Sequence, residues 1–366
     1  MKALVVGGGI IGTSIALELA TNGIEVVVLD KATPGSEASQ AAAGMLAPQA
    51  EAIRAGPMFE LMLRSRTLYP KWVKGLEALS GLEVGYLPSG LLHVAFDDAE
   101  AHALDARVSW QQAHGLRAKW LTGAETRQRE PALAEAVLAA AHFADDHQVD
   151  PRKLMPALLM AAARSSVTFR AGTVRSVTHA NGKVTGVDFE GELLYADVVI
   201  LAAGAWSALI TGTPLTPRDV RPARGQLAEL HSPLPLITHV LKSGPGYLVP
   251  RADGRLIIGS TMELVGYDKQ VTTEGLAKIL VLALRLVPAL ANVPVRATWA
   301  GLRPWTEDAL PILGEGEGVS GLVFATGHFR NGILLAPLTA RLVGQIVRGE
   351  KPGLDVMPFH PARFSR

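Results

Sequence analysis

The 366-residue sequence predicts an α/β fold, with a Rossmann-like nucleotide-binding domain and a second domain of mainly antiparallel sheet (α+β). Three observations predict it. A glycine-rich turn links an apolar strand to a helix near the N-terminus. A second buried strand follows much later, at 196–204. Between them and after them, strands follow one another without the strand–helix alternation of a parallel sheet. The length fits two domains at ~150 residues each.

The first thirty residues predict a dinucleotide site. Gly7, Gly9 and Gly12 fit G-x-G-x-x-G between an apolar strand and a helical pattern, and the next strand ends at Asp30. Gly7 allows the tight turn, Gly9 lets the backbone approach a pyrophosphate, and Gly12 lets the helix pack closely on the strand. Asp30 can accept hydrogen bonds from a ribose diol. The less favoured alternative is a glycine-rich turn without a ligand, and the motif alone does not separate NAD from FAD.

The next segment pairs a small-residue stretch with a long helix. Residues 41–46 (AAAGML) would let a flat ring lie against the backbone, although an Ala-rich helix start is the alternative. Residues 57–80 carry an amphipathic apolar stripe, which predicts a helix.

Residues 82–150 lack the strand–helix–strand rhythm and are therefore placed in the second domain. Two strands are predicted in 82–96 and a polar helix in 97–114. The acids and histidines of 142–150 match no metal-ligand spacing, so a solvated loop is predicted there. Asp150 is an N-cap, and Pro151 opens a helix to about residue 164.

The middle of the chain returns to the first domain. A hairpin is predicted in 174–189 around the turn at 181–182, followed by a buried strand that ends at Gly204. This return through a meander is more typical of FAD proteins than of NAD dehydrogenases.

The remaining elements predict a sheet and then a strand–turn–helix unit. Residues 218–299 are predicted as antiparallel sheet with one helix at 272–290. A strand at 322–326, a turn at 327–332 and a helix at 333–348 follow. We therefore predict a discontinuous nucleotide-binding domain (1–80, 151–217 and 300–366) and a substrate domain (81–150 and 218–299).

Composition excludes several kinds of function. The net charge of +1 gives no reason to expect a nucleic-acid partner. Zero cysteines exclude disulfides, thiolate metal sites and a cysteinyl-linked flavin. Without an apolar run of ~18 residues we expect no membrane span. Neither a metal site nor a signal peptide is predicted, and a cytoplasmic location is expected.

Four stretches resemble a known family. Residues 41–46, 247–251 (YLVPR), 300–304 (AGLRP) and 327–337 (GHFRNGILLAP), together with the glycine-rich turn, resemble the D-amino-acid oxidase superfamily, and within it the bacterial glycine oxidases of the thiamine pathway. The resemblance runs nearly end to end. It implies oxidative deamination of glycine, sarcosine and small D-amino acids to the 2-oxo acid, ammonia or amine and hydrogen peroxide. It further implies an FAD-binding Rossmann-like domain, oxygen as acceptor and a homotetramer.

The resemblance also implies substrate-site residues by position. Tyr247 corresponds to the tyrosine that holds the substrate carboxylate, and Arg303 to its ion-pair partner. Arg330 corresponds to an arginine beside them, and Met262 to a methionine that narrows the pocket. The departure from the family lies just before Tyr247, at 245–246 (PG). A glycine there leaves space, so we expect tolerance of small D-amino acids and N-alkylglycines.

The same resemblance implies non-covalent FAD. The contacts carried over by position are, in chain order, Gly7, Gly9, Ile10, Ile11, Gly12, Asp30, Lys31, Ala38, Ser39, Ala43, Gly44, Met45, Val174, Gly204, His328, Phe329, Asn331, Gly332, Ile333 and Leu334. The adenosine end is expected at Asp30, Lys31 and Val174. The helix after Gly332 would aim its positive end at the flavin. His328 is expected to be a packed histidine rather than a proton carrier.

The chemistry of these residues favours an enzyme. A guanidinium binds a carboxylate bidentately and a tyrosine hydroxyl adds a third bond. No acid or base is evident where one would be needed, so we expect direct hydride transfer from a neutral amine. A domain-boundary ion pair for Arg303 and a half-buried strand tyrosine for Tyr247 are the structural alternatives. A D-amino-acid or sarcosine-type dehydrogenase with a non-oxygen acceptor stays open. A non-catalytic flavin-binding subunit is disfavoured, because it has no use for a carboxylate clamp.

Overall fold

A computed structural model describes residues 1–364 and bears out the predicted α/β fold with a second, mainly antiparallel sheet. The strands, in chain order, are β1 (Lys2–Val6), β2 (Glu25–Asp30), β3 (Met45–Leu46), β4 (Tyr86–Leu87), β5 (Leu91–Ala95), β6 (Ala118–Thr122), β7 (Ala139–Phe143), β8 (His147–Val149), β9 (Thr168–Ala171), β10 (Val174–Ala180), β11 (Lys183–Phe189), β12 (Glu192–Tyr195), β13 (Val198–Leu201), β14 (Arg221–His231), β15 (Val240–Ser243), β16 (Gly246–Pro250), β17 (Arg255–Gly259), β18 (Val295–Trp305), β19 (Ile312–Glu315) and β20 (Leu322–Thr326).

The helices connect and cover these strands. They are α1 (Ile10–Thr21), α2 (Ala38–Ala41), α3 (Pro48–Glu51), α4 (Pro57–Ser80), α5 (Asp98–Ala113), α6 (Gly123–Arg129), α7 (Pro151–Arg164), α8 (Thr273–Leu286) and α9 (Gly332–Val347). Single 3₁₀ turns lie at Gly204–Leu209, Pro288–Asn292, Phe329–Asn331, Met357–Phe359 and Pro361–Phe364. Among the described residues, none of these helices is long and apolar enough to cross a membrane.

The first sheet has six strands in the order β19-β20-β13-β1-β2-β9, parallel except for β19. Its central strand β1 is apolar on both faces, as a doubly covered parallel strand must be. Ala3 and Val5 pack against α1, α4, α7 and α9, whereas Leu4 and Val6 pack against the small sheet β10-β11-β12. The carboxyl ends of β1, β2 and β13 therefore open at one edge, where ligands bind in such sheets.

The second sheet has eight strands in the order β18-β14-β17-β16-β15-β5-β7-β6. All its pairs are antiparallel except β5 with β15. The long pair β14–β18 carries Arg303 toward the first sheet, and β16 carries Tyr247. The helix α8 covers the opposite face through the apolar side chains of Ile279, Ala283 and Leu286.

Several sequence predictions are corrected. Residues 142–150 are not a solvated loop, because β7 and β8 occupy most of the segment and Asp146 is fully buried. The strand β9 joins the parallel sheet beside β2, although its exposed side chains gave no apolar pattern. The domain boundary at residue 300 stays a prediction, and β18 runs through that position.

Candidate active site

A cavity of about 540 Å³ lies between the two sheets. The glycine-rich turn, the carboxyl ends of β1 and β2 and the segment after β13 line one part of it. Side chains of β16 and β18 and the first turn of α9 line the other part. Ligand sites typically have volumes of about 300–1,000 Å³, so the cavity can hold a cofactor or substrate.

The glycine-rich turn is shaped by close backbone contacts. Gly7 has φ +106°, and a Cβ there would overlap the carbonyl of Ala202. A Cβ on Gly12 would overlap the carbonyl of Gly7, so α1 can pack onto β1 only with glycine at position 12. Gly9, at the N-cap of α1, supplies no side-chain cap. The positive end of α1 thus faces the cavity, which is suited to a phosphate group.

The residues after β2 form the far end of the cavity. The Asp30 carboxylate accepts hydrogen bonds from the N–H groups of Gly8 (2.6 Å) and Ala32 (2.9 Å), and these bonds fix its orientation. The Lys31 ammonium lies 3.5 Å from the centroid of the Trp206 ring, a cation–π contact. Burial lowers the pKa of Lys31, and Lys269 adds to this effect. The wall here therefore combines an acid, a cation and an aromatic face.

The second sheet holds the stretch 41–45 against the cavity. Arg251 is buried and donates to the Ala43 carbonyl at 2.6 Å and to the Gln148 side chain at 2.5 Å. Trp299 Nε1 donates to the Ala41 carbonyl at 3.0 Å. Ala43, Gly44 and Met45 consequently line the cavity as an ordered segment and not as an Ala-rich helix start.

Arg303 and Tyr247 meet at the end of the cavity opposite Asp30. The Arg303 guanidinium donates to Ser260 Oγ at 2.6 Å and to the Thr261 carbonyl at 3.2 Å, and no carboxylate of residues 1–364 forms an ion pair with it. Burial lowers the pKa of Arg303, while the adjacent Tyr247 hydroxyl acts in the opposite direction. A cation without a carboxylate partner beside a buried tyrosine is suited to receive a carboxylate ligand.

Gly225 makes room for that guanidinium. It lies on β14 directly opposite Gly301 of β18, and a Cβ on Gly225 would overlap the guanidinium of Arg303. The absence of a side chain at one strand position thus lets Arg303 lie flat across the neighbouring strand.

Arg330 lies beside this pair and has an acidic partner. Its Nε is 3.4 Å from Glu51 Oε2, and one terminal nitrogen is 3.5 Å from the Pro245 carbonyl. Glu51 also lines the cavity, and its Oε1 lies 3.8 Å from the Lys242 ammonium.

Glu51 is held ionised. Burial alone would raise the pKa of its carboxyl group, but nearby cations outweigh burial and the pKa lies below its ordinary value. The cations are Lys242, Arg330, Arg107 and Arg303. An anion stabilised in this way is a weaker base than an ordinary glutamate, so Glu51 is poorly suited to act as a general base.

The segment 327–333 joins the cavity to α9. Phe329 has φ +45°, a left-handed conformation that is rare outside glycine. His328 is buried, its Nε2 lies 3.1 Å from Thr339 Oγ1, and burial lowers its pKa to about 3. His328 is therefore neutral and packed, as expected from the sequence. Gly332 and Ile333, in the first turn of α9, line the cavity.

Most of the predicted site residues meet at this cavity, and their roles stay predictions. The lining includes Tyr247, Arg303 and Arg330 and, of the predicted cofactor contacts, Gly7, Gly9, Ile10, Ile11, Asp30, Lys31, Ala38, Ser39, Ala43, Gly44, Met45, Val174, Gly204, His328, Phe329, Asn331, Gly332 and Ile333.

Three predicted residues do not line it. Met262 is 43% exposed outside the cavity, because the segment after Ser260 turns away along β14, so it does not narrow the pocket. Leu334 points into the core beneath α9, and Gly12 packs α1 onto β1.

The expected space at Gly246 is also absent. A Cβ on Gly246 would overlap Leu282 of α8, so this glycine serves the packing of that helix on the sheet and does not enlarge the cavity.

The sequence did not reveal several cavity residues. Glu51 and Trp206 belong to no motif, and Ser260 stands in a turn whose only signal was the neighbouring Gly-Ser-Thr stretch. The helix that carries Glu51 is held by hydrogen bonds from the Gln49 and Ala50 N–H groups to Asp146, a contact between distant parts of the chain that no local sequence pattern could reveal.

The sequence is similar to those of known oxidoreductases. A family model described as FAD dependent oxidoreductase (DAO) matches residues 2–346. The chain is 38% identical over 364 residues to a bifunctional protein ThiO/ThiG of Trichormus variabilis, covering 99% of this chain and 55% of that protein. It is 36% identical over 361 residues to a glycine oxidase of Geobacillus kaustophilus, covering 98% and 96%.

Solved structures of two oxidases have the same fold as this chain. The crystal structure of the Geobacillus kaustophilus glycine oxidase superposes with a TM-score of 0.94 at 35% identity, covering 98% of this chain and 97% of that one. That of an iminodiacetate oxidase from a Chelativorans species has a TM-score of 0.89 at 29% identity, covering 98% of each chain. The chain spans about half the length of the bifunctional relatives that it matches.

Proposed function

The chain belongs to the DAO family of FAD-dependent oxidoreductases, and from this premise we propose that it oxidises glycine and other small amines. The products would be the 2-oxo acid, ammonia or an amine, and hydrogen peroxide. The observation that carries the proposal is Arg303, a guanidinium beside Tyr247 in the cavity without a carboxylate partner among residues 1–364.

The residues of the cavity fit FAD. The turn at Gly7 and Gly9 and the N-terminal end of α1 suit a pyrophosphate, and Asp30, which also lines the cavity, would accept hydrogen bonds from a ribose diol. The ordered stretch 43–45 and the start of α9 would hold the flavin ring between them. When bound, FAD supplies the two-electron acceptor for the amine.

The chain's own residues would bind and orient the amine. Arg303 and Tyr247 would hold the substrate carboxylate, which fixes the position of the Cα–H bond in the cavity. Glu51 is a weak base and His328 is neutral and hydrogen-bonded, so neither is suited to remove a proton from the substrate. This supports the prediction that the amine reacts in its neutral form without a protein base.

The biological setting is part of the proposal. The relatives named ThiO/ThiG and glycine oxidase support a role in thiamine biosynthesis. We propose oxygen as the electron acceptor and a homotetramer because the family resemblance implies them, and a cytoplasmic location because a chain without cysteines fits a reducing compartment.

Anaerobic reduction tests this function. Glycine, sarcosine and D-alanine should each bleach the flavin absorbance of the purified holoenzyme, and air should restore it with release of hydrogen peroxide. A flavin that these amines do not reduce would contradict the function. Reduction without reoxidation by air would favour the alternative, a D-amino-acid or sarcosine-type dehydrogenase.

A further inference from the structure

The charges around the substrate end of the cavity are unequal. Arg303 and Arg330 line it, Lys242 and Arg107 lie behind the wall, and Glu51 is the carboxylate among these four cations. Among residues 1–364, Arg330 has Glu51 as its acidic partner, whereas Arg303 forms no ion pair with a carboxylate. Of the two arginines that line this end of the cavity, Arg303 is thus free for a ligand, whereas Arg330 is already paired with a carboxylate.

The position of Glu51 is fixed by a buried polar network. Glu51 ends the short helix α3, and Asp146 accepts hydrogen bonds from the Gln49 N–H (3.2 Å) and the Ala50 N–H (2.8 Å) in that helix. Arg66 binds both the Asp146 carboxylate (3.0 Å) and the Gln49 side chain (2.7 Å). This network fixes the backbone of α3, and from that fixed position the Glu51 side chain reaches between Lys242 and Arg330.

On the proposed function, we infer that Glu51 restricts the substrates to amines that carry a single carboxylate. The first carboxylate binds Arg303. A second carboxylate, attached through the amine nitrogen, would meet an Arg330 already paired and the negative charge of Glu51 itself. Juxtaposed like charges disfavour a ligand by several kcal/mol. Neutral N-alkyl groups carry no such penalty, so N-alkylglycines are accepted and N-carboxymethyl amines such as iminodiacetate are disfavoured.

The test compares two non-oxidisable ligands and two substrates. Butyrate and glutarate, whose carboxylates are spaced as in iminodiacetate, are titrated into the holoenzyme and followed by the flavin absorbance, and kcat/KM is measured for sarcosine and iminodiacetate. In the unsubstituted protein, glutarate should bind no more tightly than butyrate, and sarcosine should be the better substrate. Glu51→Gln should shift both ratios toward the dicarboxylate by at least about tenfold.

Two further variants make the result specific. Glu51→Asp keeps the charge and should keep the preference for one carboxylate. Glu229→Gln also removes one half-buried carboxylate from an ion pair with an arginine, but away from the cavity, and should leave both ratios unchanged.

The outcomes separate this inference from the proposed function. Unsubstituted protein that binds glutarate tenfold more tightly than butyrate would overturn the inference even if Glu51→Gln does not fold. Unchanged ratios in a folded, FAD-loaded Glu51→Gln variant would overturn it too. A flavin that neither glycine nor sarcosine reduces would instead refute the function and leave the ligand ratio as an independent result.

Discussion

On the proposed function, Arg303 is the residue on which substrate binding should depend most. Substitution by Lys keeps the charge but loses the planar fork, so KM for glycine should rise strongly while the flavin spectrum changes little. Arg303→Ala should cost about 3–5 kcal/mol in kcat/KM, since the cation is desolvated. Steady-state kinetics measure both effects. Arg296→Ala, an exposed arginine of the same strand, is the control. Activity of Arg303→Ala within a few-fold of the unsubstituted protein would show that the carboxylate binds elsewhere.

Asp30 is the corresponding residue at the nucleotide end. Asp30→Ala removes an acceptor for the ribose and should weaken FAD binding by roughly 1–2 kcal/mol. Titration of the apoprotein with FAD gives the dissociation constant. Asp197→Ala is the matched control, because Asp197 also accepts a backbone N–H, from Lys2, but outside the cavity. Equal losses in the two variants would mean that Asp30 acts through the sheet and not through the cofactor.

The residues that meet at the cavity could be found from the sequence where a motif contains them, although their roles stay predictions. Gly7, Asp30, Tyr247 and Arg303 stand in recognisable stretches, and the structure brings them to one cavity. Glu51 could not be found in this way, since its position depends on the buried contacts of α3 with a segment about a hundred residues later in the chain.

At the scale of elements, the strand pair β14–β18 positions the Arg303 guanidinium. Gly225→Ala should displace the Arg303 guanidinium, because the added methyl group would occupy its place. We expect kcat/KM for glycine to fall by roughly tenfold or more, equivalent to about 1.4 kcal/mol. Gly75→Ala is the control, since a Cβ there meets no atom within 4 Å and helix α4 should gain roughly 0.5–1 kcal/mol. Unaltered glycine kinetics in Gly225→Ala would show that the strand pair adjusts without moving Arg303.

The buried support of α3 predicts a pH dependence. Burial raises the pKa of Asp146 to about 7 in the folded protein, against the pull of Arg66 and two N–H groups, whereas an unfolded aspartate titrates near ~4. The folded state therefore binds this proton more tightly. The contribution of Asp146 to stability is fully present below pH ~4 and is lost as the pH rises through 7, by at most about 1.4 kcal/mol per pH unit.

Melting temperatures of the unsubstituted protein and of Asp146→Asn, measured from pH 4 to pH 8, test this dependence. The melting temperature of the unsubstituted protein should fall relative to that of Asp146→Asn as the pH rises to about 7, and the difference should then stay constant. A difference independent of pH would show that the carboxyl keeps one protonation state throughout.

Elements were predictable where their apolar pattern was complete. The helices α4 and α7 and the hairpin β10–β11 were expected at nearly their observed bounds, since each has a clear period or a capping signal. The strand β9 is short and exposed, and its membership of the parallel sheet follows from pairing with β2, a tertiary contact that leaves no local signature. Likewise, Gly246 was interpreted as open space because the sequence could not show Leu282 packed over it.

For the whole molecule, we expect the cofactor to be held without a covalent link. The chain has no cysteine, and the ring of His328 is already hydrogen-bonded to the Thr339 hydroxyl. Acid denaturation of the yellow protein should release all the flavin into the supernatant. Colour in the pellet would indicate a histidyl or tyrosyl link.

Substrate size is a second property of the whole molecule. Met262 lies outside the cavity, which removes one reason to expect a narrow pocket. Leu282 occupies the space beside Gly246, which removes one reason to expect tolerance of larger amines. Discrimination among glycine, sarcosine, N-ethylglycine, D-alanine and D-phenylalanine should still be graded, at about 1–3 kcal/mol per methylene. The measurement is kcat/KM for each. If D-phenylalanine is the best of the five, the cavity admits side chains larger than we propose.

The strand order of the six-stranded sheet has a consequence for biosynthesis. In this sheet β13 lies roughly 200 residues after its neighbour β1, and β20 lies roughly 120 residues after its neighbour β13. The sheet therefore cannot be completed until residues 312–326 have left the ribosome. Pairings between such distant segments form slowly, and incomplete sheets expose apolar strand edges during that time. A nascent chain arrested before residue 312 should therefore depend on chaperones for its solubility, and cofactor capture should be among the last events of its maturation.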